Sequence, residues 1–273
     1  MLSKLIKYDM KALNRFLIII HCFLMVFAVL TRFFLTGRIT DLEGKTNGIL
    51  LALTIILYVI LIIGVTFGTY IIIGIHFYQN LFSNEGYLSR TLPVTCGQHL
   101  LSKTITGSVW GFIDTALVMA AMYITIATPA VVNFYQENRA EFLDILGLNE
   151  YSGSFSILIL FFVLSLIIDV LSNILMLYAS IALGQLFSGH RILGAVVMYF
   201  VLTTLLSLFA FAVMLIFGIF NNAFASSLIN DVSPNPLDFL SHSLAFGTVL
   251  SFILTVALYI VTYFLMKRKI NLA

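Results

Sequence analysis

Two acidic residues, Asp114 and Asp169, fall inside stretches of the chain that are otherwise almost wholly apolar. A carboxylate taken out of water is costly, so it needs a proton, a cation or several hydrogen-bond donors. Asp169 lies one helical turn before Asn173, and Ser165 and Ser172 are close in sequence, so a helix would carry them as a short polar stripe. Asp114 stands about ten residues into its own apolar stretch, with no basic residue near it in sequence. Two readings of these acids stay open. Asp114, Asp169 and Asn173 could line a translocation path for an ion or substrate. Alternatively, both acids face the interior of a helix bundle and bond to Ser, Thr or Asn.

Other chemistry is poorly represented. No Gly-x-x-x-x-Gly-Lys-Ser/Thr loop occurs, so the chain lacks a P-loop for ATP. His21, His76, His99, His190 and His242 are scattered without a His-Glu-x-x-His pair or helical pairing, and no metal site is expected. Cys22 and Cys96 fall in a span and a loop respectively and are not expected to pair. Ser152-Gly153-Ser154 reads as a flexible entry to a span rather than a nucleophile. No acid, base and nucleophile converge, so an enzyme is not expected, and no cofactor is assigned to this chain.

The elements that must hold these residues follow from composition. Of 273 residues, 61% are hydrophobic and only 10% charged, far from the roughly one-quarter charged content of soluble domains. Apolar runs of twenty residues and more exclude β-barrel alternation and require helices that satisfy their own backbone in lipid. The expected fold is therefore an all-α polytopic membrane protein: a single transmembrane domain over 1–273 with six transmembrane helices at 16–35, 49–78, 104–127, 155–187, 192–220 and 243–266. The very short joint Ser188-Gly189-His190-Arg191 makes the fourth and fifth spans an antiparallel hairpin. Gly64, Gly68 and Gly74 read as a close-packing face on the second.

Charge sets the orientation. With the N-terminus inside, ten of the fourteen Lys and Arg lie inside (Lys4, Lys7, Lys11, Arg15, Arg90, Lys103, Arg191, Lys267, Arg268 and Lys269). The acids gather on the other side, so both termini are expected in the cytoplasm. Residues 1–15 place Leu2, Leu5, Ile6, Leu13 and Phe16 on one helical face and the basic residues elsewhere. That pattern is an amphipathic helix at the cytoplasmic surface beside membrane lipids. Outside, 128–154 holds Pro129 and a short surface helix from Glu137 to Leu148, and 221–242 contains the breaker Ser233-Pro234-Asn235-Pro236.

The inside loop at 79–103 is too long for a hairpin and too apolar for an idle linker. A helix can start near Asn84 with Glu85 in its first turn and stop before Pro93, and Thr95 can cap the helix that continues into the third span. A plainer reading is that Leu92-Pro93-Val94 turns the chain and Lys103 marks the membrane surface.

The loop's Glu85-Gly86-Tyr87-Leu88, Leu92-Pro93-Val94-Thr95 and Leu100-Leu101-Ser102-Lys103, between spans two and three, resemble the permease subunits of ABC-2 type transporters from Gram-positive bacteria. The loop is the specific part of the resemblance; the six spans and basic N-terminal helix fit the family along nearly the whole chain. The resemblance implies a plasma-membrane exporter subunit, moving a hydrophobic or amphipathic substrate. Its partners would be a separate ABC ATP-binding subunit, which holds ATP and magnesium, and a second permease copy or sister permease. No nucleic-acid partner is implied. It also implies that 1–15 acts as an elbow helix and that the loop couples to the ATPase through Glu85, Leu92, Pro93, Val94 and Lys103. Tyr87 and Arg90 are added from their place on the same element. An ion-coupled secondary transporter or channel using Asp114 and Asp169 is the alternative.

Overall fold

The computed structural model describes residues 1–39, 45–83, 86, 91, 93–146, 148, 155–187, 189–216 and 236–268. Among them the chain is entirely helical: α1 (Leu2–Ile39), α2 (Lys45–Phe82), α3 (Cys96–Ile126), α4 (Pro129–Glu137), α5 (Arg139–Ile145), α6 (Phe155–Gly184), α7 (Arg191–Ile216) and α8 (Pro236–Arg268). Six of them, α1, α2, α3, α6, α7 and α8, are long and apolar enough to cross a bilayer. Helix α7 buries only Gly194 while its side chains are apolar all round. Such a helix is stable only where its surroundings are apolar too. The chain is a polytopic helical membrane protein.

Several boundaries differ from the sequence reading. Helix α1 is unbroken from Leu2, so the basic segment 1–15 and the first span form one rod. Lys4, Lys7, Lys11 and Arg15 are exposed on it, as the amphipathic pattern requires, but Phe16 is also exposed and Leu17 takes the buried place. The buried face of α1 runs Asp9, Leu13, Leu17, His21, Leu24, Ala28, Thr31 and Leu35, one residue every three or four. The second and third spans lengthen toward each other, α2 to Phe82 and α3 back to Cys96, which narrows the 79–103 loop to its middle part. Cys96 is consequently the first residue of a helix rather than a loop residue. Proline opens both α4 and α8, where a missing N–H is harmless. Thr128 caps α4 by accepting from the Val131 N–H, and the surface segment becomes two short helices rather than one.

The described residues form two compact units. The first comprises 1–79 and 101–139, the second 80–100 and 140–273. In the first, α1, α2 and α3 share a core of Leu24, Ala28, Tyr58, Val65 and Ala121. Gly64 and Gly68 do not supply the packing face of α2: a Cβ at Gly64 would have no neighbour within 4 Å, and one at Gly68 would meet only the tip of Ile20, while Gly74, the third of the set, is buried. In the second, α6 packs on both α7 and α8, and Leu175, Ala179 and Leu258 form its core. The α6–α7 joint is tight because Gly184 lets the backbone of Ala195 approach. A Cβ there would lie 2.5 Å from the Ala195 nitrogen.

Candidate functional site

The first turns of α3 carry an unusual load of buried polar groups: Ser102, Lys103, Thr104, Thr106 and Ser108. Threonine hydroxyls in such a helix satisfy themselves on the preceding turn, as Thr106 does by donating to Ser102 O at 2.8 Å. Lys103 cannot, and the bundle supplies its partner. Lys103 Nζ lies 2.5 Å from Asp9 Oδ1 of α1. Asp9 Oδ2 accepts from Ser102 Oγ at 2.8 Å. His76 of α2 completes the group, with Nε2 3.0 Å from Lys103 Nζ and 3.3 Å from Asp9 Oδ1. Asp9 and Lys103 are both almost fully enclosed. The cluster joins α1, α2 and α3, and Ser102 and Lys103 bring into it the end of the 79–103 segment that the sequence singles out.

Farther along the same three helices stands a second polar group. His21 Nδ1 faces Leu17 O at 2.7 Å, which can only accept, so Nδ1 carries hydrogen. Its Nε2 is then 2.9 Å from Asp114 Oδ1. Either an imidazolium donates to a carboxylate or a protonated Asp114 donates to the ring; in both states one proton lies between them. The Thr69 hydroxyl is 3.0 Å from Asp114 Oδ1 and equally far from Val65 O, so its single proton goes to one of the two. Trp110 stacks on the His21 ring at 5.8 Å between centroids. Asp114 thus faces the interior of the α1–α2–α3 unit, with a histidine partner that sequence proximity did not reveal.

Asp169 is placed differently. It stands midway along α6 and accepts from Asn173 Nδ2 at 3.1 Å, an exposed contact. It also lines a cleft of about 310 Å³ between α6 and α8, with Ser165 and Leu166 from α6 and Ser243, Leu244, Gly247, Thr248 and Ser251 from α8. Asp169 and Asn173 therefore share the stripe expected from their spacing, while Asp114 belongs to another unit and another network.

Of the loop residues, Glu85, Tyr87, Arg90 and Leu92 lie outside the described residues. Gly86 donates its N–H to Ser83 O at 2.8 Å and is buried against Leu81, where a Cβ would meet the backbone at 2.7 Å. Pro93 is exposed and Val94 half-buried. Thr95 caps α3 as its sequence position suggests: the Gln98 N–H donates to Thr95 Oγ1 at 3.3 Å, and the Thr95 N–H donates back to Gln98 Oε1 at 3.1 Å. This is a reciprocal capping box. Lys103 is the buried cation of the first cluster. Sequence reasoning did not pick out Asp9, His21 or His76. The signal for Asp9 and His21 was an ionisable residue at a core position of the α1 stripe. Among the described residues no group of His, Cys, Asp and Glu could hold a metal ion. No family model, curated protein or solved structure matches this chain.

Proposed function

We propose that this chain is the membrane-spanning permease subunit of an ABC-2 type exporter, driven by ATP that separate partner subunits bind with magnesium and hydrolyse. The observation that carries the reading is the Asp9–Lys103 pair. It ties the start of α1 to α3 eight residues beyond Thr95, where the capped helix begins. A push delivered to the loop ahead of Thr95 would travel along a rigid helix end into a clamp on α1, rather than dissipate in a flexible joint. The resemblance of Glu85, Leu92-Pro93-Val94 and Lys103 to the coupling loop of such permeases supports the same reading, as does the exposure of Pro93. In this reading both termini and the loop are cytoplasmic, the ABC ATPase docks on the loop, and a second permease subunit completes the pathway.

The test is purification of the tagged chain from its native membranes, followed by mass spectrometry and ATPase assay. A P-loop ATPase should copurify with the wild-type chain. It should be lost when residues 84–95 are replaced by a Gly/Ser linker, with the variant still monodisperse. Unchanged association and hydrolysis after the replacement would sink the coupling role. An ion-coupled carrier using Asp114 and Asp169 finds support only in Asp169, because Asp114 is enclosed by His21 and Thr69. Ion-dependent uptake by liposomes containing this chain alone would replace the exporter reading with that one.

A further inference from the structure

We infer that the cleft between α6 and α8 binds an organic ammonium group, with Asp169 as its counter-ion. Two of the four hydroxyls on the lining act toward it as acceptors. Ser165 Oγ donates its proton to Phe162 O at 2.7 Å, and Thr248 Oγ1 donates to Leu244 O at 2.6 Å. Each hydroxyl has spent its only proton on its own helix, so what it offers the cleft is lone pairs. Ser243 Oγ, also on the wall, is enclosed and has no hydrogen-bond partner among the described residues. Such a group is expected to bond something that the cleft takes up. Among the described residues Asp169 has Asn173 as its one donor, and no cationic side chain reaches it. A carboxylate midway along an apolar helix, facing hydroxyl acceptors, calls for a donor-rich cation.

Size and wall chemistry select the kind of cation. A volume of about 310 Å³ is roughly ten times a water's share of the liquid, far more than a bare metal ion fills. Ligand pockets for small organic molecules begin at about that volume. Leu166 gives an apolar wall, and Gly247 leaves the α8 side open, with nothing within 4 Å of where a Cβ would stand. The ligand class is thus an alkyl or aryl amine whose ammonium meets Asp169 while its hydrocarbon lies along the helices. That this ligand is also the transported substrate rests on the exporter reading; that it binds does not.

The experiment uses the full chain in lipid nanodiscs without any ATPase subunit, with radiolabelled n-octylammonium as probe and n-octanol as its neutral control. Saturable binding is expected, at least tenfold tighter for the ammonium than for the alcohol. Asp169→Asn should weaken it tenfold or more, and Asp169→Glu should retain most of it. Gly247→Leu, which fills the cleft without touching the acid, should also abolish it, so the result does not depend on one variant's folding. Equal affinity for the amine and the alcohol, or full binding in both Asp169→Asn and Gly247→Leu, would overturn the proposal. Displacement of the probe by millimolar sodium but not by choline would overturn the organic assignment. Because no ATPase is present, failure here leaves the coupling reading standing, and loss of ATPase association would leave this binding intact.

Discussion

Lys103 Nζ and Asp9 Oδ1 meet 2.5 Å apart in the interior of the α1–α2–α3 unit, ninety-four residues apart in sequence. Taking both charges out of water is expensive, and the pair holds because Ser102 and His76 fill the remaining bonding positions. Removing one partner strands the other. Asp9→Leu or Lys103→Met alone is expected to cost about 3–5 kcal/mol, whereas the two together, which remove both charges, should recover most of that. Thermal unfolding of the four proteins in one detergent gives the cycle. Additive losses in the double variant would show that the two residues act independently.

The His21–Asp114 pair offers a direct optical readout, because Trp110 is the chain's only tryptophan and stacks on His21. Buried as it is, Trp110 should emit at short wavelength and resist acrylamide quenching in the wild type. Asp114→Leu takes away the group that orients the ring. It should red-shift the emission and cost about 1–3 kcal/mol, the range for leaving a buried polar atom unsatisfied. Asp114→Asn keeps a donor facing Nε2 and should cost less, with little spectral change. Equal effects of the two substitutions would mean that the hydrogen bond does not position the ring.

The six spans were legible because lipid imposes a length and an apolar run on each of them, and neither depends on what the helix packs against. The cap at Thr95 was legible for a similar reason, since it is made with Gln98 three residues away. The buried partners were not. Asp9 lies on the apolar face of a segment that reads as surface-bound, and only the unbroken course of α1 brings that face into the bundle against Lys103. His21 and Asp114 are each isolated in sequence, and their meeting depends on which faces of α1 and α3 touch. Asp169 and Asn173 form a local pair and were readable. The cleft beside them needs α8, whose Ser243, Thr248 and Ser251 carry no signal of their own in an apolar run. Gly64 of α2 shows the reverse error: small residues at helical spacing permit close approach, but no helix takes it up there.

Glycine does matter at the α6–α7 joint. A methyl at Gly184 would fall on the Ala195 backbone, which cannot rotate away as a side chain could. Gly184→Ala is therefore expected to destabilise the protein by about 1–3 kcal/mol through overpacking. Gly189, in the same turn, has open space around it, and Gly189→Ala should change stability by no more than about 0.5 kcal/mol. Melting temperatures of the two variants, measured in parallel, separate a packing requirement from a general need for turn glycines. Equal sensitivity at both positions would contradict it.

The capping box at Thr95 sets how firmly the loop is joined to α3. Thr95→Ala removes the side-chain acceptor of the Gln98 N–H, leaving it only the Thr95 carbonyl at 3.0 Å, and loosens the first turn of α3. Such a loss is worth about 0.5–2 kcal/mol, or roughly a two- to thirty-fold rise in local opening. Hydrogen exchange of a peptide covering 95–100 should speed up by that factor, while peptides from α6 stay unchanged. Thr95→Asp should hold exchange near the wild-type rate, because its carboxylate accepts the same bond and favours the positive end of the helix dipole. If both variants exchange as slowly as the wild type, tertiary contacts rather than the cap fix the helix start, and the Tyr263 ring lies close enough to Gly97 to supply one. A loosened cap should also lower ATPase stimulation by the intact membrane subunit under the exporter reading, since the loop's displacement would be absorbed in the frayed turn before it reached Lys103.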